Sequence, residues 1–357
     1  METLEQMFPW LNFIDRPAFC VKNARVVAVN AAAEHRMLAP GTDIGEIVTQ
    51  HRGEYEQLQN GCLYLPINVG GLICNAEVTR TRECDIFILY QDNDDQLLQA
   101  LALAAQQLRI PLSNVMAVSD RFFKTFDEEA SDAKKQIGQI NHGLFQLLRI
   151  INNMSDSVSY QNTRNLPVQT VNLTGLADEI IEKVQALSEE TGTKIAYSSP
   201  ASPILTAANE ERLSRAFYNL LSNALKFSPD GSTVEAKLTT NGNMISFSVC
   251  NPNIADAEDP SFWNQYRREP AIEDSRFGLG LGMTLVSAVA TAHGGTVLID
   301  HPEPGFTRVT MTLALTKETS GAVRSPILTI SDYTGGRDKG LLEFAEILSA
   351  DAYKNIN

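Results

Sequence analysis

The stretch Asn209–Ser228, NEERLSRAFYNLLSNALKFS, constrains this chain more than any other. Its apolar residues Leu213, Ala216, Phe217, Leu220, Leu221, Ala224 and Leu225 fall at the steps of one buried helical stripe. Asn209 stands at the N-cap, and Glu210 and Glu211 occupy the first turn, where the helix dipole favours acids. Asn219 and Asn223 lie one turn apart, so both carboxamides project from one face, and Lys226 shares that edge. Two neutral oxygen ligands beside an ammonium can hold a Mg²⁺ ion and the phosphates it bridges. The same residues also suit an ordinary solvated helix face, so the helix alone leaves both readings open.

Downstream, Phe277-Gly278-Leu279-Gly280-Leu281-Gly282-Met283 opens an apolar helix expected over Met283 to Ala292, before His293-Gly294-Gly295. Glycines at alternate positions leave backbone N–H groups uncovered at a helix N-terminus, where phosphate binds well. The spacing is GxGxG and an acidic loop, not a strand, precedes it, which excludes a dinucleotide fingerprint. NxxxNAxKFS followed by GxGLGM resembles the ATP-binding domain of sensor histidine kinases, within the GHKL class that also holds gyrase and a heat-shock chaperone; the resemblance runs over about 95–317. It implies ATP and Mg²⁺ as cofactors, with Asn219 as the metal ligand and Asn223 and Lys226 on the phosphates. It also implies Phe227 and Asn251 at the base, and Gly278, Leu279, Gly280, Leu281 and Gly282 as lid hinge and phosphate contact.

The 357 residues leave room for two or three domains with sizeable cores. A net charge of −14 with no basic cluster argues against a nucleic-acid partner. Cys20, Cys62, Cys74, Cys84 and Cys250 form no CxxC pair and read as thiols of a reducing compartment. No run approaches the ~20 apolar residues of a membrane span, so a soluble cytoplasmic protein is expected.

Taken in order, residues 1–93 read as a small α/β sensor domain. Pro17–Val21 and Arg25–Val29 form a hairpin across Lys22-Asn23-Ala24, a short helix starts at Asn30, and Cys62–Val69, Leu72–Arg80 and Asp85–Tyr90 are strands, the first two joined at Gly70-Gly71. The pattern resembles a PAS domain, whose core either holds a ligand or is packed solid. Residues 94–160 turn helical: Leu97, Leu101, Ala104, Leu108, Leu112, Val115, Ser119, Phe122 and Phe126, then Ile137, Ile140, Leu144, Leu147, Ile151, Met154 and Val158, step by three and four. This two-helix coiled-coil hairpin is too narrow to bury its stripe alone, which predicts a homodimer joined by a four-helix bundle. Residues 161–317 read as a two-layer α/β sandwich, the ATP-binding domain, and 318–357 as a tail whose Leu341-Leu342, Phe344-Ala345 and Ile347-Leu348 suggest one amphipathic helix. The fold class is α+β, multidomain.

Inside the first helix, Ala105-Gln106-Gln107-Leu108-Arg109-Ile110-Pro111-Leu112 is similar to the S-H-E-L-R-T-P-L phosphoacceptor box of sensor histidine kinases. Leu108, Arg109, Pro111 and Leu112 match; Gln106 stands at the phosphorylated histidine and Gln107 at the adjacent acid. An amide has no nucleophilic nitrogen at neutral pH and takes no proton, so phosphorylation at 106 is chemically excluded. His142, at the edge of the second stripe, reads as a structural histidine. Relatives carry D-x-G-x-G after the strand Met244–Val249; here Asn251-Pro252-Asn253-Ile254-Ala255 keeps a carbonyl acceptor and loses the charge. Residues 256–276, with Trp263, Tyr266, Arg267 and Arg268, take the place of the lid, or are a plain loop anchored by two rings.

The leading expectation is thus a signal-transduction protein of histidine-kinase type that binds ATP and acts on a response regulator or other signalling partner by conformational coupling. An ATP-dependent kinase or ATPase acting on a partner, and a dimeric scaffold without nucleotide, are the alternatives.

Overall fold

The computed structural model describes residues 8–14, 16–36, 38–59, 61–89, 104–105, 107–110, 112–120, 131–159, 168–252, 281–316 and 336–354. Period-two alternation of burial is clear in Arg25–Val29, Leu205–Ala208, Thr233–Asn241 and Met244–Pro252, whereas Ala18–Lys22 and Asp85–Leu89 are buried almost throughout. β1 (Ala18–Lys22) and β2 (Arg25–Val29) pair across Asn23 and Ala24, both with positive φ. Asn30 then caps α1 (Ala31–Glu34): its Oδ1 accepts from Ala33 N at 2.9 Å and Ala18 N at 3.0 Å, tying the helix to β1. Two short helices follow, α2 (Ile44–Ile47) and α3 (Arg52–Gln57), then β3 (Gly61–Val69), β4 (Leu72–Arg80) and β5 (Asp85–Leu89). Their inner face is packed with side chains, among them Phe19 stacked on Phe87 at 4.6 Å between centroids.

The second half begins with α4 (Ser131–Ser159), an antiparallel pair β6 (Gln169–Asn172) and β8 (Leu205–Ala208), and α5 (Leu173–Ser188) and β7 (Lys194–Ser198) between them. Then come α6 (Glu210–Phe227), β9 (Thr233–Asn241), β10 (Met244–Pro252), α7 (Leu281–Ala292), β11 (Val297–Asp300), β12 (Phe306–Ala314) and the short α8 (Lys339–Glu343). α6 buries the stripe read from sequence, and Phe217 stacks on Phe247 of β10 at 4.1 Å between centroids. α5 and α7 flank α6, so three helices cover this half of the sheet.

Reading the two halves as separate domains does not anticipate how they meet. Ten strands form one sheet in the order β2-β1-β5-β4-β3-β11-β12-β10-β9-β7. The joint is β3 against β11, with Cys62, Leu63 and Tyr64 opposite Ile299, Leu298 and Val297. Gly61 makes it possible: at φ +101°, a Cβ there would lie 2.0 Å from the Ile299 carbonyl oxygen.

The hairpin stripe is divided. Its Leu112, Leu144 and Ile151 pack into the core of the second half together with Met116, Phe145 and Leu148 from beside the stripe, whereas Leu108, Val115, Ile140 and Leu147 are about half exposed. The tail differs from the single amphipathic helix expected: α8 is five residues long and a 3₁₀ turn, Ala350–Tyr353, follows it. Leu342, Phe344, Ala345, Leu348 and Tyr353 are buried against α4, α5 and α6.

Candidate nucleotide site

α6 is fixed at both ends. Asn209 accepts from Arg212 N at 3.0 Å, and its own backbone N–H donates to Nε2 of His293, 3.0 Å away at the end of α7. Burial lowers the His293 basicity, and its Nδ1 donates to the Val289 carbonyl at 2.8 Å, so the neutral ring bridges the two helices.

Asn219 is 1% exposed. Its Nδ2 donates to the Arg215 carbonyl at 2.9 Å, which turns the Oδ1 toward the first turn of α7. There Gly282 lies so close that a Cβ on it would stand 2.9 Å from the Asn219 Oδ1 and 3.9 Å from the Asn223 Nδ2. The two sequence motifs therefore meet: a carboxamide oxygen and a half-buried carboxamide face the N-terminus of a helix, where the dipole favours an anion. Leu281 opens α7, while Gly278, Leu279 and Gly280 lie outside the described residues, as does the expected lid.

Lys226 and Phe227 close α6. The Lys226 Nζ lies 5.8 Å from the centroid of the Phe227 ring and 2.7 Å from Oε2 of Glu346, in the tail. Asn251 is buried near the end of β10, opposite Thr307, with its Nδ2 on the Pro252 carbonyl at 2.9 Å. The residues described thus offer a carbonyl oxygen, a carboxamide and an ammonium along one helix, a donor set that fits a Mg²⁺-bound polyphosphate.

The hairpin residues fall into place around this helix. Gln106 and Pro111 lie outside the described residues; Gln107 is exposed, and the Arg109 guanidinium donates to the Asn152 Oδ1, joining the two hairpin helices. His142 is half-buried, donates from Nε2 to the Ala345 carbonyl at 2.8 Å and stacks on Tyr353, the structural role read for it.

Sequence reading missed an ionic cluster behind the site. Arg149 of α4 donates to the Ser222 Oγ at 3.1 Å and lies 3.7 Å from Glu343 and 3.1 Å from Glu346. Arg215 of α6 pairs with Asp156, donates to the Asn153 Oδ1 at 3.0 Å and lies 3.4 Å from Glu343. Arg149, Arg215 and Glu343 are all at most 4% exposed. Arg215 sits one turn before Asn219, the one signal that could have drawn attention to it. For Glu346, burial works to raise the carboxyl, but Arg149 and Lys226 outweigh it and hold it below its ordinary value.

Residues 208–317 match the family described as histidine kinase-, DNA gyrase B-, and HSP90-like ATPase. Hybrid signal transduction histidine kinase D of Dictyostelium discoideum is 28% identical over 233 residues, 62% of this chain and 15% of that protein. The non-motile and phage-resistance protein of Caulobacter vibrioides is 27% identical over 301 residues, 80% of this chain and 35% of that protein. Among solved structures, full-length ShkA in complex with AMPPNP is 22% identical, with a TM-score of 0.48 over 61% of this chain and 46% of that one. The chain thus spans 15%, 35% and 46% of the length of these three proteins, and the segment that carries Asn219, Asn223, Lys226 and Gly282 matches the family of histidine kinase-, DNA gyrase B- and HSP90-like ATPases.

Proposed function

We propose that this is a signal-transduction protein of histidine-kinase type that binds Mg-ATP and does not phosphorylate itself at the usual site. The observation that carries the reading is the meeting of Asn219 and Asn223 with Gly282 at the start of α7. In this reading Asn219 holds the metal, Asn223 and Lys226 the phosphates, and Phe227 and Asn251 the base. Gly278, Leu279, Gly280, Leu281 and Gly282 form the hinge and phosphate contact. A Mg²⁺ held by Asn219 would supply charge neutralisation to the phosphates; the chain supplies orientation and a backbone close enough for contact.

Gln106 and Gln107 leave the phosphoacceptor box without nucleophile or base, so the output is conformational. Half-exposed Leu108, Val115, Ile140 and Leu147 support a homodimer, in which a second hairpin covers them. The strand pattern of the N-terminal half supports a PAS-like sensor with a packed core, acting through the β3–β11 joint. A response regulator or comparable signalling protein in the cytoplasm is the partner class the resemblance implies. No helix among the described residues is long and apolar enough to cross a membrane.

A titration of Mg-AMPPNP against wild type and Asn223→Ala tests the reading. Saturable binding that weakens at least about tenfold in the variant, ~1.4 kcal/mol, is expected. Equal binding by both proteins refutes the site. One observation favours the nucleotide-free scaffold: Lys226 is already paired with Glu346. Absence of binding at millimolar nucleotide is the result that reading requires.

A further inference from the structure

The tail occupies a fitted seat. Gly138 of α4 lets it approach, since a Cβ there would stand 2.4 Å from the Ala350 carbonyl oxygen; Gly340 does the same on the tail's side, 2.9 Å from Leu187 of α5. Asn141 donates to the Tyr353 carbonyl at 3.2 Å, and the Tyr353 hydroxyl to the Leu341 carbonyl at 2.7 Å. Apolar packing alone would account for a structural strap. It does not account for the two carboxylates the tail sets against cations: Glu343 is fully buried, where a charge is unfavourable unless cations already wait there, and Glu346 stays partly exposed beside Arg149 and Lys226.

Those cations belong to two different elements. Glu343 bridges Arg149 of α4 and Arg215 of α6, and Glu346 bridges Arg149 and Lys226. Among the described residues of this cluster, Arg149, Arg215 and Lys226 are balanced by Asp156, Glu343 and Glu346. Remove the tail and these three cations lose the two carboxylates of Glu343 and Glu346. The vacated seat is then an anion site one turn beyond Asn223, on the same helix edge.

We propose that the segment 336–354 is a built-in competitor of the nucleotide: Glu346 holds the ammonium of Lys226 that a polyphosphate needs, and Glu343 locks α4 to α6 while it does so. The proposal deepens the nucleotide reading and rests on it. A seated tail lowers apparent affinity by the fraction of molecules in which Lys226 is free. By reciprocity, bound nucleotide loosens the tail and with it the hairpin's hold on α6, which links nucleotide state to the surface of the hairpin.

Two measurements on the full chain test it. Glu346→Gln keeps the shape of the side chain and removes its charge; Mg-AMPPNP should bind it about tenfold more tightly than wild type. Unchanged or weaker binding overturns the competition and leaves the site intact. Hydrogen exchange on the wild-type protein needs no variant: saturating Mg-AMPPNP should speed exchange at Leu341–Leu348. Protection of that segment by nucleotide, or no change under saturation, overturns the proposal. Should neither protein bind Mg-AMPPNP, the reading of the site falls and the competition falls with it.

Discussion

Two glycines of one helix separate the contribution of the tail from that of the helix. Gly138 and Gly143 both lie inside α4, so replacing either with alanine gains about 0.8–1.0 kcal/mol of helix propensity. A Cβ at Gly143 meets nothing within 4 Å, and Gly143→Ala should keep that gain. At Gly138 the new carbon would lie 2.4 Å from the backbone oxygen of Ala350 and 2.9 Å from the Lys354 Cγ, against an ordinary contact of 3.4–4 Å. The Ala350–Tyr353 turn must retreat by about an ångström, and the Asn141 bond, the stacking of Tyr353 on His142 and its edge contact with Phe145 hold it in place. Overpacking of this kind costs about 1–3 kcal/mol. Because propensity is common to both variants, their difference in urea-unfolding free energy reads the clash alone. Gly138→Ala should be about 1–3 kcal/mol less stable than Gly143→Ala, with faster proteolysis in the tail. Equal stabilisation by the two alanines would refute the seating of the tail on α4.

Gly282→Ala forces its methyl to within 2.9 Å of the Asn219 Oδ1, so that side chain must give up its bond to Arg215 or its aim at α7. Mg-AMPPNP affinity should fall by more than about tenfold while stability changes by less than ~2 kcal/mol; an unaffected titration would show that Asn219 is not a ligand. His293 predicts a pH dependence. Burial lowers its folded-state pKa, so the unfolded chain takes up the proton first. Its contribution is full above about pH 6.5 and is lost as pH falls toward the lowered value; His293→Gln should flatten that part of the stability profile, and an unchanged slope would contradict it. Glu343→Ala leaves Arg149 and Arg215 short of a buried counter-charge and should cost about 3–5 kcal/mol in thermal or urea unfolding; a loss below ~1 kcal/mol would mean that water already reaches the cluster.

Local elements were legible because their signals are local. The helix read over Asn209–Ser228 spans Glu210–Phe227, with Asn209 as its cap. The hairpin read across Lys22-Asn23-Ala24 joins Ala18–Lys22 to Arg25–Val29, and Asn23 and Ala24 take the positive φ of 53° and 60° that such a turn requires. The Asn219–Gly282 approach was legible only as two motifs in order, since neither stretch alone implies contact with the other. What lay hidden depends on distant partners. The β3–β11 joint turns on which sheet edges are left open and on Gly61, whose need for φ +101° leaves no mark in a hydrophobicity pattern. The tail misled for a related reason: its paired apolar residues suggest one amphipathic helix, and nothing in them marks Glu343 as buried. Glu343 points inward because two arginines, from segments about 66 residues apart in the chain, wait for it. Gly138 likewise reads as a weak point in a helix until the backbone of the tail is laid against it.

The central claim is a polyphosphate cradle in a chain whose phosphoacceptor position is an amide. ATP labelled at its terminal phosphate, incubated with the purified protein and Mg²⁺, tests both halves at once. Label should stay with the native protein on rapid filtration and leave it in alkaline detergent, which preserves phosphohistidine. Label that remains bound to the denatured chain, or none retained by the native one, would contradict the account.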